Sequence, residues 1–314
     1  MSKYVLSVDL GATTAKCCVF KNNEILKEFV VESGQKPNIV KRIFEKFNEL
    51  NNFLKINKLE YICFAVCGVV DNKTGNVLLS VNLGWENYPL KKEIKTIFNV
   101  DNVFVLNDAK AAIYGEWSKS LNKEPTSMLM YTIGTGIGGA VIFDKKLVFG
   151  DNAFLASEPG HGGGFQNTNE CSCKLSGCIE PISSATGIER ILNEKAKTSH
   201  GELNKIYCSL NRTIKIIDIK DLFKKDDQET IEIFKYCLEP LAKQIAILTH
   251  VFDFSCIVVG GGPSQLGIKL VTIIKEHLKK YLLPDFFKKI NLRISNIGNL
   301  AGAIGAFEFG KDNI

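Results

Sequence analysis

The sequence predicts an α/β protein of two lobes. Its 314 residues are enough for two compact units. Two segments, 4–20 and 128–143, follow one plan: an apolar strand, a short tip of Gly and Thr, and a second apolar strand. Elsewhere, apolar runs typical of buried strands alternate with apolar residues at helical spacing. Two lobes that each open with such a hairpin account for this pattern.

The first half of the chain predicts alternating strands and helices. Strands 4–10 and 15–20 flank the tip Gly11-Ala12-Thr13-Thr14. Pro89 favours a helix start, because its fixed φ suits the first turn. The further predicted elements are helix 38–56, a buried strand 61–70 containing Gly68, helix 89–99, strand 103–106 and an Ala-rich helix 109–120.

The second half continues the alternation after its own hairpin. Residues 202–227 are polar and poorly patterned, so we expect short helices and loops on the surface there. His200, His250 and His277 fall in helical or polar contexts, and we expect structural or solvated roles for them. The remaining predicted elements are helices 184–197, 231–252, 265–280 and 300–309 and strands 257–259 and 291–295.

The two Gly/Thr tips are candidate phosphate-binding sites. Backbone N–H groups and Thr hydroxyls donate to phosphate oxygens, and Gly permits close approach. Neither tip is a Walker loop, because no G-K-[ST] follows. A late Gly260-Gly261-Gly262 run either clears space for a base or ribose or makes a tight strand-to-helix turn. The predicted nucleotide contacts are Gly11, Thr13, Thr14, Gly134, Thr135, Gly136, Gly261 and Gly262.

Asp108 is the candidate catalytic residue. It follows strand 103–106 directly after Asn107. Ligands of open α/β sheets bind beyond the carboxyl ends of the strands, which is where this pair falls. Asp and Asn are also favoured N-cap residues of the helix that follows, and both roles are compatible.

Three cysteines and a histidine predict a zinc site. His161, Cys171, Cys173 and Cys178 lie within 18 residues, and Glu158 and Glu180 bracket them. Structural zinc is usually closed by four thiolate and imidazole ligands. The alternative is chance clustering in a protein with ten cysteines.

Composition limits the classes of partner. The net charge of +5 is modest and spread along the chain, which favours anionic small ligands and gives no nucleic-acid footprint. No stretch has the length of a membrane span, and the N-terminus lacks a signal-peptide pattern. Ten cysteines in that context indicate reduced thiols and a metal site, so we expect a cytoplasmic protein.

The motifs together resemble the ROK family of sugar kinases and repressors. The resemblance implies an actin-like ATPase (ribonuclease H-like) α/β fold, with a cleft between a lobe 1–118, joined by helix 300–314, and a lobe 119–299 carrying the zinc loop. The motifs occur in family order: D-x-G-x-T at 9–13, Asn107-Asp108, G-T-G-I-G-G at 134–139, E-x-G-H at 158–161, C-x-C-(x4)-C-x-E at 171–180 and the late triple Gly.

Within the family, the segments 82–90, 107–112 and 184–188 resemble the glucokinase branch. The repressors carry an N-terminal helix-turn-helix, and the first strand here begins at residue 4, so we expect a kinase. Intact Asp108 argues against a catalytically inactive sugar sensor. The run Cys67-Gly68-Val69 departs from the usual P-G-P of glucokinases, which keeps N-acetylmannosamine kinase as the alternative.

The resemblance also implies the roles of the site residues. Asp108 would accept the proton of a hexose 6-hydroxyl, with ATP as donor. Mg²⁺ would bridge the ATP phosphates near Asp9, and zinc would be structural, bound by His161 and the three cysteines. A homodimer is expected, because kinases of the family are commonly dimeric. The implied sugar contacts are Gly68, Asn82, Asn107, Asp108, Glu158, His161 and Glu180.

Overall fold

The structure is a computed structural model that describes residues 3–33, 37–151, 158–165 and 169–314. The chain divides into two compact units. The first comprises Met1–Glu124, Lys146–Ala156 and Asn296–Ile314, and the second comprises Pro125–Lys145 and Ser157–Ser295. The domain limits 118 and 299 expected from the sequence remain a prediction.

The first unit is built on a five-stranded sheet in the order β3-β2-β1-β4-β8. Strands β1 and β2 form the predicted antiparallel hairpin, and β1, β4 and β8 run parallel. Every residue of β4 is buried, as expected of an inner strand covered on both faces. The strands are β1 (Tyr4–Leu10), β2 (Thr14–Lys21), β3 (Glu24–Glu32), β4 (Tyr61–Val66) and β8 (Val103–Asn107).

A small antiparallel sheet of β5 (Val69–Asp71), β6 (Asn76–Ser80) and β7 (Trp85–Tyr88) was not predicted. The single strand expected over 61–70 is therefore wrong, because β4 ends at Val66 and the chain bends at Gly68 before β5 begins at Val69. Gly68 has φ of 139°, and a Cβ there would lie 2.4 Å from the Leu79 carbonyl oxygen. Only Gly fits this conformation and this close approach.

Helices cover both faces of the first sheet. Apolar residues of α1 (Ile39–Leu54) and α2 (Leu90–Phe98) pack on one face, and those of α3 (Asp108–Gly115) and α11 (Ala301–Asn313) pack on the other. Helices α3 and α11 approach closely at Gly305, where a Cβ would collide with the Ala111 carbonyl oxygen at 1.7 Å.

The helix predicted over 109–120 begins one residue earlier, at Asp108, and changes type before its end. Residues Glu116–Ser120 form a π-helical turn. The buried Glu116 side chain accepts the backbone N–H groups of Asn296 and Ile297 at 2.6 and 2.9 Å. A π-turn is a local widening of the backbone hydrogen-bond pattern, which hydrophobic periodicity does not reveal.

The second unit contains a sheet in the order β10-β9-β12-β13. Its hairpin β9 (Met128–Ile133) and β10 (Ile137–Phe143) confirms the prediction, and β12 (Cys256–Gly261) lies parallel to β9 and β13 (Asn291–Ile294). A two-residue strand, β11 (Lys146–Leu147), follows β10. The helices are α4 (Glu180–Ser183), α5 (Ala185–Thr198), α6 (Glu202–Ser209), α7 (Lys220–Lys224), α8 (Gln228–Phe252), α9 (Ile268–Tyr281) and α10 (Pro284–Lys289).

The expectation that 202–227 lies on the surface is wrong for several of its apolar residues. Leu203, Ile214, Ile219 and Phe223 are fully buried in the core of the second unit. These residues sit on short helices and turns, so their spacing carries no sustained helical period.

In the part of the chain that the structure describes, every helix is too short or too polar to cross a membrane.

Candidate active site

The first hairpin tip is held together by backbone hydrogen bonds. The N–H of Gly11 donates to the carbonyl oxygen of Thr14 at 3.0 Å. Ala12 and Thr13 are exposed at the end of the hairpin, and Gly11 and Thr14 are half-buried. The predicted residues Gly11, Thr13 and Thr14 therefore share one tight turn.

Asp9 lies in β1 just before this tip, beside the start of α11. A Cβ built on Gly302 would lie 2.7 Å from the Asp9 Cγ and within 2.9 Å of both carboxylate oxygens. Burial, and next the charge of Asp108, raise the pKa of Asp9 from 3.8 to about 6, against the lowering effect of Lys16. Asp9 and Asp108 therefore belong to one acidic site.

Lys16 was not selected from the sequence. It is the antiparallel partner of Asp9 in the β1–β2 ladder, so the two side chains share one face of the sheet. Its Nζ donates to the carbonyl oxygen of Asn299 at 3.0 Å, just before α11. The sequence could have predicted this pair, because a hairpin with a four-residue tip at 11–14 places Leu10 opposite Ala15 and Asp9 opposite Lys16.

Asp108 is the first residue of α3, and Asn107 is the N-cap of that helix. The Asn107 Oδ1 accepts the N–H of Lys110 at 3.1 Å. The Asn107 Nδ2 donates to the Asp108 Oδ1 and to the Gly68 carbonyl oxygen, at 3.0 Å each. Gly68, Asn107 and Asp108 are thus brought together at the carboxyl ends of β4 and β8.

The Asp108 carboxylate is oriented by two donors. Its Oδ1 accepts the Ala109 N–H at 2.9 Å in addition to the Asn107 amide. Burial raises the pKa of Asp108 above 3.8, although hydrogen bonds from Ala109, its own backbone and Asn107, and the charge of Lys110, act in the opposite direction. The carboxyl group therefore holds a proton more readily than an exposed Asp.

Beside this group lies the Cys67–Gly68 turn. The buried Ser80 donates its Oγ to the Cys67 carbonyl oxygen at 2.6 Å. Burial and the charge of Asp108 raise the pKa of the Cys67 thiol to about 11, so Cys67 is a neutral thiol at pH 7. Asn82 is exposed in the turn that follows β6.

In the second unit, the tip Gly134-Thr135-Gly136 packs against Glu180, at the start of α4. The Glu180 Oε2 accepts the Ile137 N–H at 2.8 Å, and a Cβ on Gly136 would lie 2.2 Å from that oxygen. The Gly134 N–H donates to Gly136 O, and Gly134 O accepts the Ala185 N–H, both at 2.9 Å.

The loop that contains Glu158 and His161 lies next to the same tip. The His161 N–H donates to the Glu158 carbonyl oxygen at 3.3 Å, and the Glu180 N–H donates to Gly160 O at 3.2 Å. A Cβ on Gly160 would lie 2.4 Å from the Ile137 carbonyl oxygen. The structure therefore brings together three of the predicted sugar contacts, Glu158, His161 and Glu180.

The predicted metal ligands converge. One ligand atom from each of His161, Cys171, Cys173 and Cys178 lies within 4.8 Å of the other three. The Cys171 Sγ is 3.6 Å from the His161 Nδ1, and the Cys173 and Cys178 sulfurs are 3.5 Å apart. Ligand atoms about 2.0–2.3 Å from a tetrahedral zinc ion are about 3.5–3.8 Å apart, so these two distances fit this ion.

Backbone hydrogen bonds reach two sulfurs of this cluster. The Gly162 N–H donates to the Cys178 Sγ at 3.2 Å. A hydrogen bond from the Leu175 backbone is the largest cause of a lowered pKa at Cys173, whereas burial raises the pKa of the Cys171 and Cys178 thiols. Sulfur that accepts N–H donors is prepared for the deprotonated form that binds a metal.

The glycines of the late triple Gly lie in different surroundings. Gly261 has φ of 91° and a Cβ there would lie 2.1 Å from the Ile133 carbonyl oxygen, so it is required for close strand contact. Gly262 has open space and borders a cavity of about 180 Å³. Ala185, Gln265, Lys215 and Lys220 also line this cavity. The close contact at Gly261 is that of a tight turn, and the nucleotide-binding role of the run stays a prediction.

The sequence model of the ROK family matches residues 5–313. This chain belongs to the ROK family. The match confirms the resemblance found in the motifs, from the first strand to the last helix.

Relatives and solved structures agree with this ROK assignment. The chain is 30% identical to the glucokinase of Thermotoga maritima over 99% of this chain and 98% of that protein. It is 24% identical to an N-acetylmannosamine kinase of Haemophilus influenzae, over 98% and 95%.

Among solved structures, a ROK family glucokinase from Streptomyces griseus, in complex with glucose and AMPPNP, superposes with a TM-score of 0.83. Its identity is 24%, and the match covers 98% of this chain and 99% of that one. The predicted actin-like ATPase (ribonuclease H-like) α/β fold is confirmed.

Proposed function

We propose that this ROK protein is an ATP-dependent hexokinase that phosphorylates the 6-hydroxyl of a hexose, with glucose as its best substrate. The observation that carries the proposal is the Asp108 carboxylate, half-buried at the start of α3 and oriented by Asn107 and Ala109. A carboxylate with a raised pKa is suited to accept a proton during the reaction.

Asp108 acts as the general base. Its carboxylate takes the proton of the 6-hydroxyl as the sugar oxygen bonds to the γ-phosphorus of ATP, and the bond from that phosphorus to the β-phosphate oxygen breaks to release ADP. One Asp108 oxygen is occupied by the Asn107 and Ala109 donors. The other oxygen is therefore the proton acceptor. Phosphoryl transfer otherwise depends mainly on positioning and charge neutralisation.

In the first unit, we assign sugar contacts to Gly68, Asn82, Asn107 and Asp108. Both N–H bonds of the Asn107 amide are donated within the protein, and its Oδ1 accepts the Lys110 N–H, so Asn107 is left with the second lone pair of Oδ1 to accept a sugar hydroxyl. In the second unit, we assign sugar contacts to Glu158, His161 and Glu180. His161 has two ring nitrogens, so it can bind a metal with one and donate to a hydroxyl with the other.

The nucleotide contacts are assigned to the two tips and to the Gly262 cavity. Exposed N–H groups and Thr hydroxyls at Thr13 and Thr135 suit phosphate oxygens. The cavity next to Gly262 has room for a base and is bordered by Lys215 and Lys220. Mg²⁺ held near Asp9 would neutralise phosphate charge. Lys16, opposite Asp9, adds a positive charge on the same face.

We assign zinc to the cluster of His161, Cys171, Cys173 and Cys178, on the basis of its spacing and its N–H donors to sulfur. Four protein ligands leave no open position, so the ion would be structural. Bound zinc would fix the loop from His161 to Glu180, and with it two of the assigned sugar contacts.

N-acetylmannosamine is the second candidate substrate. The curated relatives favour glucose, at 30% identity against 24%, whereas the Cys67-Gly68-Val69 run departs from the glucokinase pattern. A site that pairs a 2-hydroxyl with His161 and Glu180 should reject a 2-acetamido group, because it creates a clash and unpaired polar groups.

The test is a coupled ADP-release assay with glucose, mannose, fructose, N-acetylglucosamine and N-acetylmannosamine. We expect the highest kcat/KM for glucose. A higher value for N-acetylmannosamine would move the assignment to that kinase, and no ADP release with any sugar would contradict the kinase function itself.

We further propose that the enzyme is a cytoplasmic homodimer that supplies hexose phosphate to glycolysis and has no nucleic-acid partner. The family resemblance and the modest net charge of +5 support this proposal. Sedimentation analysis at micromolar concentration should give twice the 34.8 kDa chain mass.

A further inference from the structure

Ser33 contacts the first Gly/Thr tip from outside the hairpin. It follows β3 and is only 3% exposed. Its N–H donates to the Thr13 carbonyl oxygen at 2.8 Å, and its Oγ donates to the Gly11 carbonyl oxygen at 2.7 Å. One residue thus binds two of the carbonyl oxygens of the tip.

The two bonds differ in what they require of residue 33. Glu32 is the ladder partner of Thr14, so the bond from Ser33 N–H to Thr13 O extends the β2–β3 ladder by one step. Any residue except Pro can make that bond. The bond to Gly11 O needs a side chain with a hydroxyl at this position. It is the part of the contact that depends on Ser.

These bonds have a consequence for anion binding. A phosphate oxygen is attracted by N–H groups and repelled by carbonyl oxygens, so a phosphate-binding tip must direct its carbonyls away. Gly11 O and Thr13 O both accept from Ser33. Ala12 and Thr13 are exposed, and within the described part of the chain their N–H groups donate to no backbone carbonyl oxygen. The tip therefore offers donors on its free side.

We propose that Ser33 is a positioning residue for the nucleotide phosphates: its hydroxyl holds the Gly11 carbonyl away from the phosphate and keeps the tip in its anion-binding conformation. This inference rests on the proposed ATP-dependent function and deepens it. Ser33 acts through the backbone of the tip.

The chain contains a matched control. Ser7 is also fully buried, and its Oγ donates to a backbone carbonyl oxygen, that of Ala303, at 2.6 Å. Its acceptor lies in α11 and not in the tip. Ser7→Ala should therefore cost a similar amount of stability to Ser33→Ala, without changing recognition of phosphate.

The experiment measures dissociation constants of ADP and adenosine by calorimetry, with Mg²⁺, for the full-length protein. The ratio of the two constants isolates the contribution of the phosphates. For Ser33→Ala we expect ADP binding to weaken about 3- to 10-fold, the effect of one hydrogen bond, with adenosine unchanged. Ser33→Thr, which keeps the hydroxyl, should retain the wild-type ratio, and Ser7→Ala should too.

Ser33→Cys keeps the size of the side chain with a poor donor, and it should behave like Ser33→Ala if the alanine variant does not fold. An ADP-to-adenosine ratio unchanged in Ser33→Ala or Ser33→Cys, while the wild type binds ADP, would overturn this inference alone. A wild type that binds no ADP would overturn the proposed function and this inference with it.

Discussion

The Glu180 carboxylate fills the space that a side chain at Gly136 would need: a Cβ on Gly136 would lie 2.2 Å from the Glu180 Oε2. The Glu180 carboxylate also accepts the Ile137 N–H at 2.8 Å. Glu180 is therefore seated on the Gly/Thr tip of the second unit, and its position depends on the lack of a side chain at residue 136.

Gly136→Ala should displace Glu180 and weaken sugar binding. We expect about a tenfold loss of glucose affinity, because one charge-assisted hydrogen bond is lost and its carboxylate moves. Calorimetry with glucose measures the effect. Gly134→Ala, in the same tip, meets no atom within 4 Å and should keep its glucose affinity. Equal glucose affinity in both variants would contradict the assignment of Glu180 to the sugar.

Asp108→Asn should retain the fold and sugar binding but lose most of its turnover. The amide can still accept the Ala109 N–H, whereas it cannot take the 6-hydroxyl proton. We expect kcat to fall about 10²- to 10⁴-fold. Asp101→Asn, an exposed position before β8, is the control and should leave kcat unchanged. A variant at position 108 with half the wild-type rate would remove Asp108 from the mechanism.

Asp9→Asn should stabilise the protein at neutral pH and reduce its turnover. Folding raises the Asp9 pKa from 3.8 to about 6, so the ionised carboxylate is less favourable in the folded state than in the unfolded one. This cost is fully present above about pH 6 and disappears as the pH falls towards 4. A shift of about two pH units corresponds to about 3 kcal/mol. Urea unfolding at pH 7.5 and pH 4 measures it.

Asp71→Asn is the opposite control for Asp9. Burial tends to raise the Asp71 pKa, but it is outweighed by hydrogen bonds from the Thr74 side chain and the Lys73 and Thr74 N–H groups, and the net pKa is lowered. Asp71→Asn should therefore reduce the free energy of unfolding at pH 7.5, and the loss should shrink as the pH falls through the Asp71 pKa. The same sign for both variants at pH 7.5 would contradict the raised pKa of Asp9.

Cys173→Ser should lose zinc, stability and sugar affinity together, because His161 belongs both to the cluster and to the assigned sugar contacts. Metal analysis of protein purified without chelator should give about one zinc per chain in the wild type, as expected of a closed four-ligand site. Cys208→Ser is the matched control, since Cys208 is exposed and outside the cluster. Wild-type protein without zinc would contradict the assignment.

Local features of the sequence were enough to predict much of the site. The two hairpins follow from apolar runs on either side of short Gly/Thr tips, and Asp108 follows from its place after a buried strand. The cluster of His161 and the three cysteines was predictable because its four residues lie within 18 residues of sequence. Each of these signals involves neighbours along the chain, where spacing and backbone preference act directly.

Long-range packing decided what the sequence left open. The contact between Asp9 and Gly302 joins residues far apart in the chain, and so does the bond from Asn107 to the Gly68 carbonyl. The break at Gly68 likewise depends on the Leu79 carbonyl that approaches it. Periodicity shows which face of an element is buried, but not which partner covers it.

By itself, the sequence predicted the α/β hairpins, the candidate metal-ligand set and the candidate catalytic Asp108, because these depend on residue types at short spacing. Only the tertiary structure showed that Lys16 faces Asp9, that Glu180 sits on Gly136 and that Ser33 binds the first tip. The reason is that the packing of whole elements decides which groups meet in a buried hydrogen bond or close contact. The local sequence pattern around either partner does not predict the other.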